Sequence, residues 1–253
     1  RSVLKTKIKP VNINSRTTIK DLLEDFKGAS IQARNLGNCA DVFEQMLRDK
    51  ERPTILLGLA GPLIAAGLRK VIHGMIANGL VDVIVSTGAI MYQDIYQARG
   101  NHHFKGTPQA DDRKLADLFI NRIYDTYIDE EKFWQTDVAV SHFADKLEPR
   151  DYSSREFMEL LGTKFVSIKD SIVCTAARAG VPIFVPALND SSLGIGLTEH
   201  YHRAKRSGRK PITISAIMDN YELAQIVAKS KETAAIYIAG GVPKNYINDA
   251  VVM

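Results

Sequence analysis

Four strand-sized runs with little charge set the terms on which this chain can fold: Thr54–Leu59 (TILLGL), residues 81–85 (VDVIV), 181–185 (VPIFV) and 234–239 (AAIYIA). A strand with one wet face alternates apolar and polar residues. A strand covered on both faces reads as an almost unbroken apolar run. Helical patterns separate these runs, and that alternation argues for an α/β fold with a parallel sheet between helices. The runs lead into turns: Ala60-Gly61-Pro62, Ser86-Thr87-Gly88, Asn189-Asp190-Ser191-Ser192 and Gly240-Gly241. Ligands of open parallel sheets bind beyond the carboxyl ends of the strands, which is where this chain keeps Gly, Thr, Asp and Lys.

The last of these junctions, residues 235–245 (AIYIAGGVPKN), joins an apolar strand to a glycine pair and then to Lys244 and Asn245. Glycine lets a backbone come close to a cofactor because no side chain holds it off. A lysine just past such a turn is an anion anchor, a reactive amine or an ordinary solvated charge.

Around these strands the periodicity predicts helices over 17–26, 38–48, 63–78, 111–127, 153–161, 170–179, 193–206 and 220–231, with an irregular loop at 100–108 and a further strand at 212–217. Ser153 followed by Arg155-Glu156 reads as a helix cap, Gly180 as a helix stop, and Pro243 as the opening of a final helix. Residues 1–50 are expected to form an arm and helices packed on the core, and residues 51–253 the α/β core itself. No internal repeat or low-complexity segment interrupts it.

Several chemistries are excluded by motif. No GxGxxG follows a strand, and there is neither a GxxxxGK[ST] phosphate loop nor a GxSxG nucleophile elbow. His102-His103 and His200/His202 point to different helix faces and lack a carboxylate or thiol at ligand spacing, so no metal is expected. Cys39 and Cys174 lack CxxC spacing and sit in apolar helical contexts, which suits buried thiols in a reducing cytoplasm. The net charge of +4 over 253 residues does not imply nucleic acid, and the basic run 203–210 (RAKRSGRK) reads as a solvated helix end. The apolar runs are too short and too interrupted to span a membrane, and the basic N-terminus has no apolar core after it, so no secretory signal is expected.

Taken together, residues 67–88 (GLRKVIHGMIANGLVDVIVSTG), 181–194 (VPIFVPALNDSSLG), 239–245 (AGGVPKN) and the earlier 32–37 (QARNLG) resemble the deoxyhypusine synthase family, in order and at suitable spacing. The resemblance implies a Rossmann-like doubly wound sheet with an N-terminal helical extension. It implies an NAD-dependent aminoalkyl transferase, usually a homotetramer with active sites between paired subunits. In that family NAD oxidises spermidine, the aminobutyl group passes to an enzyme lysine as an imine, and an acceptor amine takes it. The acceptor is a lysine of a protein, or free putrescine in the related homospermidine synthases. A catalytically idle NAD-binding homologue would keep the same fold.

Carried across by residue, the resemblance assigns cofactor contacts to Gly61, Leu63 and Ile64, to Thr87, Gly88 and Ala89, to Asp190, and to Gly240 and Gly241. Asp190 suits a ribose hydroxyl pair or, equally, the N-cap of the next helix. Lys244 and Asn245 take the places of an active-site lysine and its histidine neighbour. Tyr92-Gln93 stand where the family has paired glutamates, Asp94 is kept, and Ile195 replaces an aspartate, which defines Tyr92, Gln93, Asp94 and Ile195 as the amine-binding positions. Fewer acids weaken the hold on a polycation. The family nucleophile lies in a Trp-Gly-Lys motif after the Gly-rich turn. This sequence ends at Met253 with Trp134 as its only tryptophan, so a further C-terminal segment is expected to carry it.

Overall fold

Thr18 opens the first helix. Its hydroxyl accepts the Asp21 N–H at 3.2 Å while the Asp21 carboxylate takes the Thr18 N–H at 2.9 Å, a reciprocal cap that satisfies two orphan donors. The chain, seen here in a computed structural model, is described at residues 4–166, 168 and 170–253. It divides into two compact units, Arg1–Pro53 and Thr54–Met253. The first unit holds helices α1 (Ile19–Gly28) and α2 (Ile31–Arg48). They approach closely at Gly37, where a Cβ would lie 2.8 Å from the Leu23 carbonyl oxygen. Lys27 bridges Glu24 at 2.5 Å and Asp41 at 2.6 Å across the same contact. The second helix starts earlier than its apolar spacing suggested, and Cys39 on it is exposed rather than buried.

The second unit runs β1 (Thr54–Leu59), α3 (Arg69–Ala77), β2 (Val83–Ser86), α4 (Gly88–Ala98), β3 (His103–Lys105), α5 (Asp112–Asp117), β4 (Ile120–Ile123), β5 (Thr126–Asp129), α6 (Glu130–Ala144), β6 (Asp151–Tyr152) and α7 (Ser154–Leu160). A π-helical turn at Leu161–Phe165 follows, then α8 (Ile172–Ala179), β7 (Ile183–Phe184), α9 (Ser192–Arg206), β8 (Thr213–Ile214), α10 (Ala216–Lys229), β9 (Thr233–Ile238) and α11 (Gly241–Val252). The apolar runs pair as a parallel sheet in the order β7-β2-β1-β9. Leu59 stands opposite Ser86 on one side and Ile238 on the other, so three strands end level.

Alternation along β1 and β2 sends Leu56, Val83 and Val85 to one face, where they meet Phe184, Leu223 of α10 and Ile247 and Ala250 of α11. Ile55, Leu57 and Ile84 are equally buried and point the other way. Helices α3 and α4 both pack on α8, and right-handed crossovers assign them to that second face. The sheet is therefore covered on both faces along β1, β2 and β7, which is why those strands carry no polar alternation, while β9 at the edge is half-buried. The Ser153 cap closes reciprocally with Glu156, and Gly180 ends α8 in the left-handed region at φ 68°.

Three elements depart from the periodicity. Residues 63–68 form turns rather than the start of a helix, because Gly67 adopts φ 86° and α3 begins only at Arg69. The helix expected over 111–127 is a short α5 followed by an antiparallel hairpin, with Phe119 at φ 54° and Tyr124 at φ 55°. Its partner β3 lies in the segment expected to be an irregular loop. Arg122 locks the hairpin by donating to both Asp112 oxygens, at 2.6 and 2.8 Å. The strand expected at 212–217 shrinks to β8, which pairs with β6 instead of the main sheet. Ser215 ends it by capping α10, accepting the Met218 N–H at 3.3 Å.

Candidate functional site

The strand order reverses between β1 and β9, since the chain steps from β1 outward to β2 and β7 and returns on the other side of β1. Such a switch point opens a crevice beyond the strand ends. Its rims are the Gly61 turn and the Ala239-Gly240-Gly241 turn, joined by the Ala60 N–H donating to the Ile238 carbonyl at 3.1 Å. Gly61 (φ 82°), Ala239 (φ 65°) and Gly241 (φ 68°) all sit in the left-handed region. A Cβ on Gly61, Gly240 or Gly241 would meet no atom within 4 Å. The glycines thus leave open space beside bare backbone, and a left-handed Ala239 is a conformation that L-residues hold only when the surroundings require it. Gly240 caps α11 without a side-chain hydrogen bond, so no side chain of the cap residue satisfies the Gly241 and Val242 N–H groups that open the helix. Lys244 is half-buried and Asn245 exposed on the helix's second turn, and neither forms a hydrogen bond or ion pair among the described residues. Leu63 is half-buried and Ile64 fully buried, so Ile64 can offer only its backbone to a ligand.

At the neighbouring strand end Thr87 caps α4 and Gly88 is its first residue. A Cβ on Gly88 would lie 2.6 Å from Ser191 Cβ and 3.2 Å from the Leu188 carbonyl oxygen. The turn after β7 therefore closes directly onto the start of α4. Ser191, not Asp190, caps α9: its hydroxyl donates to the Leu188 carbonyl at 2.6 Å and accepts the Gly194 N–H at 3.4 Å. The capping alternative for Asp190 falls away. Its carboxylate is exposed and makes no hydrogen bond or ion pair among the described residues.

Between these turns lies an open recess of ≈ 450 Å³, with Ala89, Tyr92 and Gln93 of α4 on one side and Asp190, Ser192 and Ile195 on the other. Five of the residues assigned from sequence therefore meet in one cavity: Ala89, Tyr92, Gln93, Asp190 and Ile195. Ile123 from the hairpin and Phe133 from α6 complete its wall. Tyr92 is pinned there, its hydroxyl donating to the Phe133 carbonyl at 2.6 Å and its ring edge-on to Phe133 at 4.6 Å. Gln93 holds the β1 turn in place by accepting the Ala65 N–H at 3.1 Å.

Asp94 does not join them. It is fully buried on another face of α4, where Oδ1 receives Arg69 Nε at 2.7 Å and Oδ2 receives the Ser171 hydroxyl at 2.7 Å and the Val173 N–H at 3.1 Å. With its two oxygens taken by three donors from α3 and α8, Asp94 ties α3, α4 and α8 together and does not face the recess. The acid that does lie behind the recess is Asp137, one helical turn from Phe133 and absent from the sequence assignment. Burial pushes its pKa up to about 6, with the Tyr92 hydroxyl offsetting part of the shift and Glu199 adding to it. Its Oδ1 has no hydrogen-bond partner. Nothing in the EEKFWQTDVAV pattern distinguishes this aspartate from its surface neighbours.

The histidine-rich segments serve the fold. His200 is buried with Nδ1 2.7 Å from Asp145 Oδ1, and Nε2 accepts the Ile212 N–H at 3.1 Å. His103 Nδ1 meets the Gln97 amide at 2.8 Å, and burial pushes its pKa down to about 4. No group of three His, Cys, Asp or Glu side chains arranged for a metal occurs among the described residues. No helix among them is long and apolar enough to cross a membrane.

The sequence matches the deoxyhypusine synthase family model over residues 21–253. The "probable deoxyhypusine synthase 2" of Methanosarcina mazei is 40% identical over 247 residues, 96% of this chain and 70% of its own length. The deoxyhypusine synthase-like protein of Elusimicrobium minutum is 41% identical over 251 residues, 97% of this chain and 66% of its own. That of Chlorobaculum tepidum is 41% identical over 255 residues, with coverage of 98% and 71%. The chain thus spans between 66% and 71% of the length of these relatives. A crystal structure from Entamoeba histolytica, described as being of the same family, superposes with a TM-score of 0.70 at 20% identity, covering 92% of this chain and 79% of that one. At that identity the likeness shows a shared fold.

Proposed function

The chain belongs to the deoxyhypusine synthase family, and on that premise we propose that it forms the cofactor- and amine-binding part of an NAD-dependent aminoalkyl transferase. The observation that carries this reading is the convergence of Ala89, Tyr92, Gln93, Asp190 and Ile195 on one recess beside the switch-point crevice. The residues present fit NAD. Gly61, Gly240 and Gly241 leave space that a Cβ would fill, and the uncapped start of α11 offers N–H donors to a pyrophosphate. Asp190, with no partner of its own, accepts the ribose hydroxyls. NAD, when bound, supplies the oxidant for the donor amine.

The chain's own residues orient that amine. Tyr92 and Phe133 wall the recess with aromatic surface that keeps water from the reacting carbon. Gln93 and Ile195 present neutral groups where the family pattern has acids, so the pocket suits a donor with less charge than a fully protonated polyamine requires. Spermidine or a related amine is the donor on this reading, and Lys244 stands on the crevice rim within the transferase machinery. The nucleophilic lysine, a protein-lysine acceptor and the family's homotetramer with sites between subunits belong to the same proposal. The free thiols Cys39 and Cys174 suit a reducing cytoplasm.

The second reading is a homospermidine synthase-type enzyme, with the same chemistry, that hands the group to a free diamine. The experiment that tests both uses the full-length protein with NAD and aminobutyl-labelled spermidine, offered putrescine or a candidate protein acceptor. Label in homospermidine supports the small-molecule reading, and label on a protein lysine the deoxyhypusine reading. Absence of both products and of released diaminopropane removes spermidine as donor and leaves an idle NAD-binding homologue or another amine.

A further inference from the structure

A second cavity, of ≈ 340 Å³, lies against a different face of α9, between the ends of β7 and β8. Its walls are apolar: Val185 and Leu188 after β7, Leu197 on α9, and Ile212 and Ile214 at β8. Asp219 is the one charged residue among those lining it. This aspartate is fully buried near the start of α10. Its Oδ1 accepts the Ser154 N–H at 2.8 Å and the Arg155 N–H at 3.4 Å. Its Oδ2 is buried with no hydrogen-bond partner.

A buried carboxylate oxygen without a partner is costly, and a cation with hydrogen-bond donors relieves that cost. The chemistry of the lining narrows which cation. A divalent metal needs several oxygen ligands, and this lining holds a single carboxylate. A dication would bring a second charge into apolar walls with no acid to meet it. An inorganic ammonium ion would leave those walls unused. We infer that the cavity binds a small primary alkylammonium ion, its head on Asp219 Oδ2 and its alkyl chain against Val185, Leu197 and Ile214. The remaining ammonium protons meet the neutral oxygens of Asn189, Thr198 or Thr213, which also line the space. The site shares only Asn189 with the recess and stands whether or not the transferase reading holds.

Burial raises the Asp219 pKa to about 6, offset by the Ser154 hydroxyl and the Ser154 and Arg155 N–H groups and reinforced by Glu222. Around it Arg155 of α7 is engaged by Glu222 at 2.5 Å, and Tyr246 of α11 donates to the Ala216 carbonyl at 3.0 Å. Asp219 is therefore ionised at pH 7.5 and able to hold a cation.

The test titrates n-butylammonium chloride into the full-length protein at pH 7.5, followed by calorimetry and by methyl NMR of Leu197 and Ile214, with n-butanol as the neutral isostere. The expected result is saturable binding that shifts those methyls and is about tenfold or more tighter than butanol, the range of a charged hydrogen bond. Asp219→Asn should abolish that preference. Because Asp219 also holds the start of α7, Ala216→Trp at the exposed mouth provides an independent block that leaves the carboxylate in place. Asp190→Asn, in the recess, should leave this binding unchanged. Failure to saturate, equal affinity for butanol, or binding that survives Ala216→Trp and disappears with Asp190→Asn would overturn the inference.

Discussion

Gly88 and Ser191 bring the start of α4 and the cap of α9 into direct contact. A Cβ on Gly88 would lie 2.6 Å from Ser191 Cβ, a separation that packed carbons do not adopt. Ser191 cannot swing away freely, because its hydroxyl spans the Leu188 carbonyl and the Gly194 N–H. Gly88→Ala is therefore expected to destabilise the protein by about 1–3 kcal/mol, the usual range for overpacking. It should weaken NAD binding as well, since both turns bordering the recess must shift. Urea unfolding and a cofactor titration on the same variant check the two effects together, and an unchanged midpoint would show that the contact relaxes.

Asp190 offers a contrast, because it touches nothing that the fold depends on. Asp190→Asn keeps the shape of the side chain and removes its charge. NAD affinity should fall about tenfold, as expected for a lost charge-assisted hydrogen bond, while the unfolding midpoint stays where it was. A stability loss with intact NAD binding would reverse the assignment.

Lys244 lies near the start of α11, half-buried, and its side chain has no hydrogen bond or ion pair among the described residues. Lys244→Ala in the full-length protein should cut aminoalkyl transfer by about 100-fold or more, the scale of losing a positioned proton-transfer or charge-stabilising group. NAD affinity should change little. Full transfer activity in this variant would take Lys244 out of the site.

How far these positions can be read from the sequence depends on what fixes them. The turns at Gly61, Thr87, Asp190 and Gly240 follow from local pattern, since a doubly covered strand is a continuous apolar run and its end is marked by residues that tolerate a turn. The β4–β5 hairpin does not, because Leu115, Phe119 and Ile123 repeat at a helical interval while left-handed Phe119 and Tyr124 break the helix. Tyr92, Gln93 and Asp94 are neighbours in sequence, yet each residue of an α-helix turns about 100° from the last. Tyr92 and Gln93 line the recess, and Asp94 faces Arg69 and Ser171. The significance of Asp137 comes entirely from its neighbours in space: Phe133 one turn away, Tyr92 on α4 and Glu199 on α9. No local pattern carries that information.

The Asp94 contact makes its own prediction. Arg69 is 12% exposed and Asp94 fully buried, so the pair is largely withdrawn from water. Removing Asp94 leaves Arg69 with only the more exposed Asp170 at 3.3 Å, and Asp94→Ala should cost toward the lower end of the about 3–5 kcal/mol seen for broken buried pairs. Asp94→Asn keeps an acceptor for the Val173 N–H and should cost less. Thermal unfolding of the two variants orders them, and equal small effects would return Asp94 to the list of candidate ligands.

Asp137 sets a pH dependence of the opposite kind to that of a paired surface acid. Its pKa in the folded protein is about 6, raised chiefly by burial, against an ordinary aspartate value of about 4 in the unfolded chain. Between those values the folded protein keeps a proton that the unfolded chain releases, so stability falls as pH rises from about 4 to about 6 and then levels off. The loss from this one group is on the order of 2–3 kcal/mol. Asp219, also near 6, adds a fall of the same sign. Asp137→Asn removes the first contribution while keeping the size and shape of the side chain. Relative to the wild type, the variant should therefore gain stability between pH 4 and pH 7.5 by that same amount, whatever offset the substitution introduces at pH 4. Urea midpoints of both proteins at the two pH values measure this difference. A gap that does not change with pH would mean that Asp137 titrates as an ordinary carboxylate and that the wall behind Tyr92 is wetter than its burial indicates.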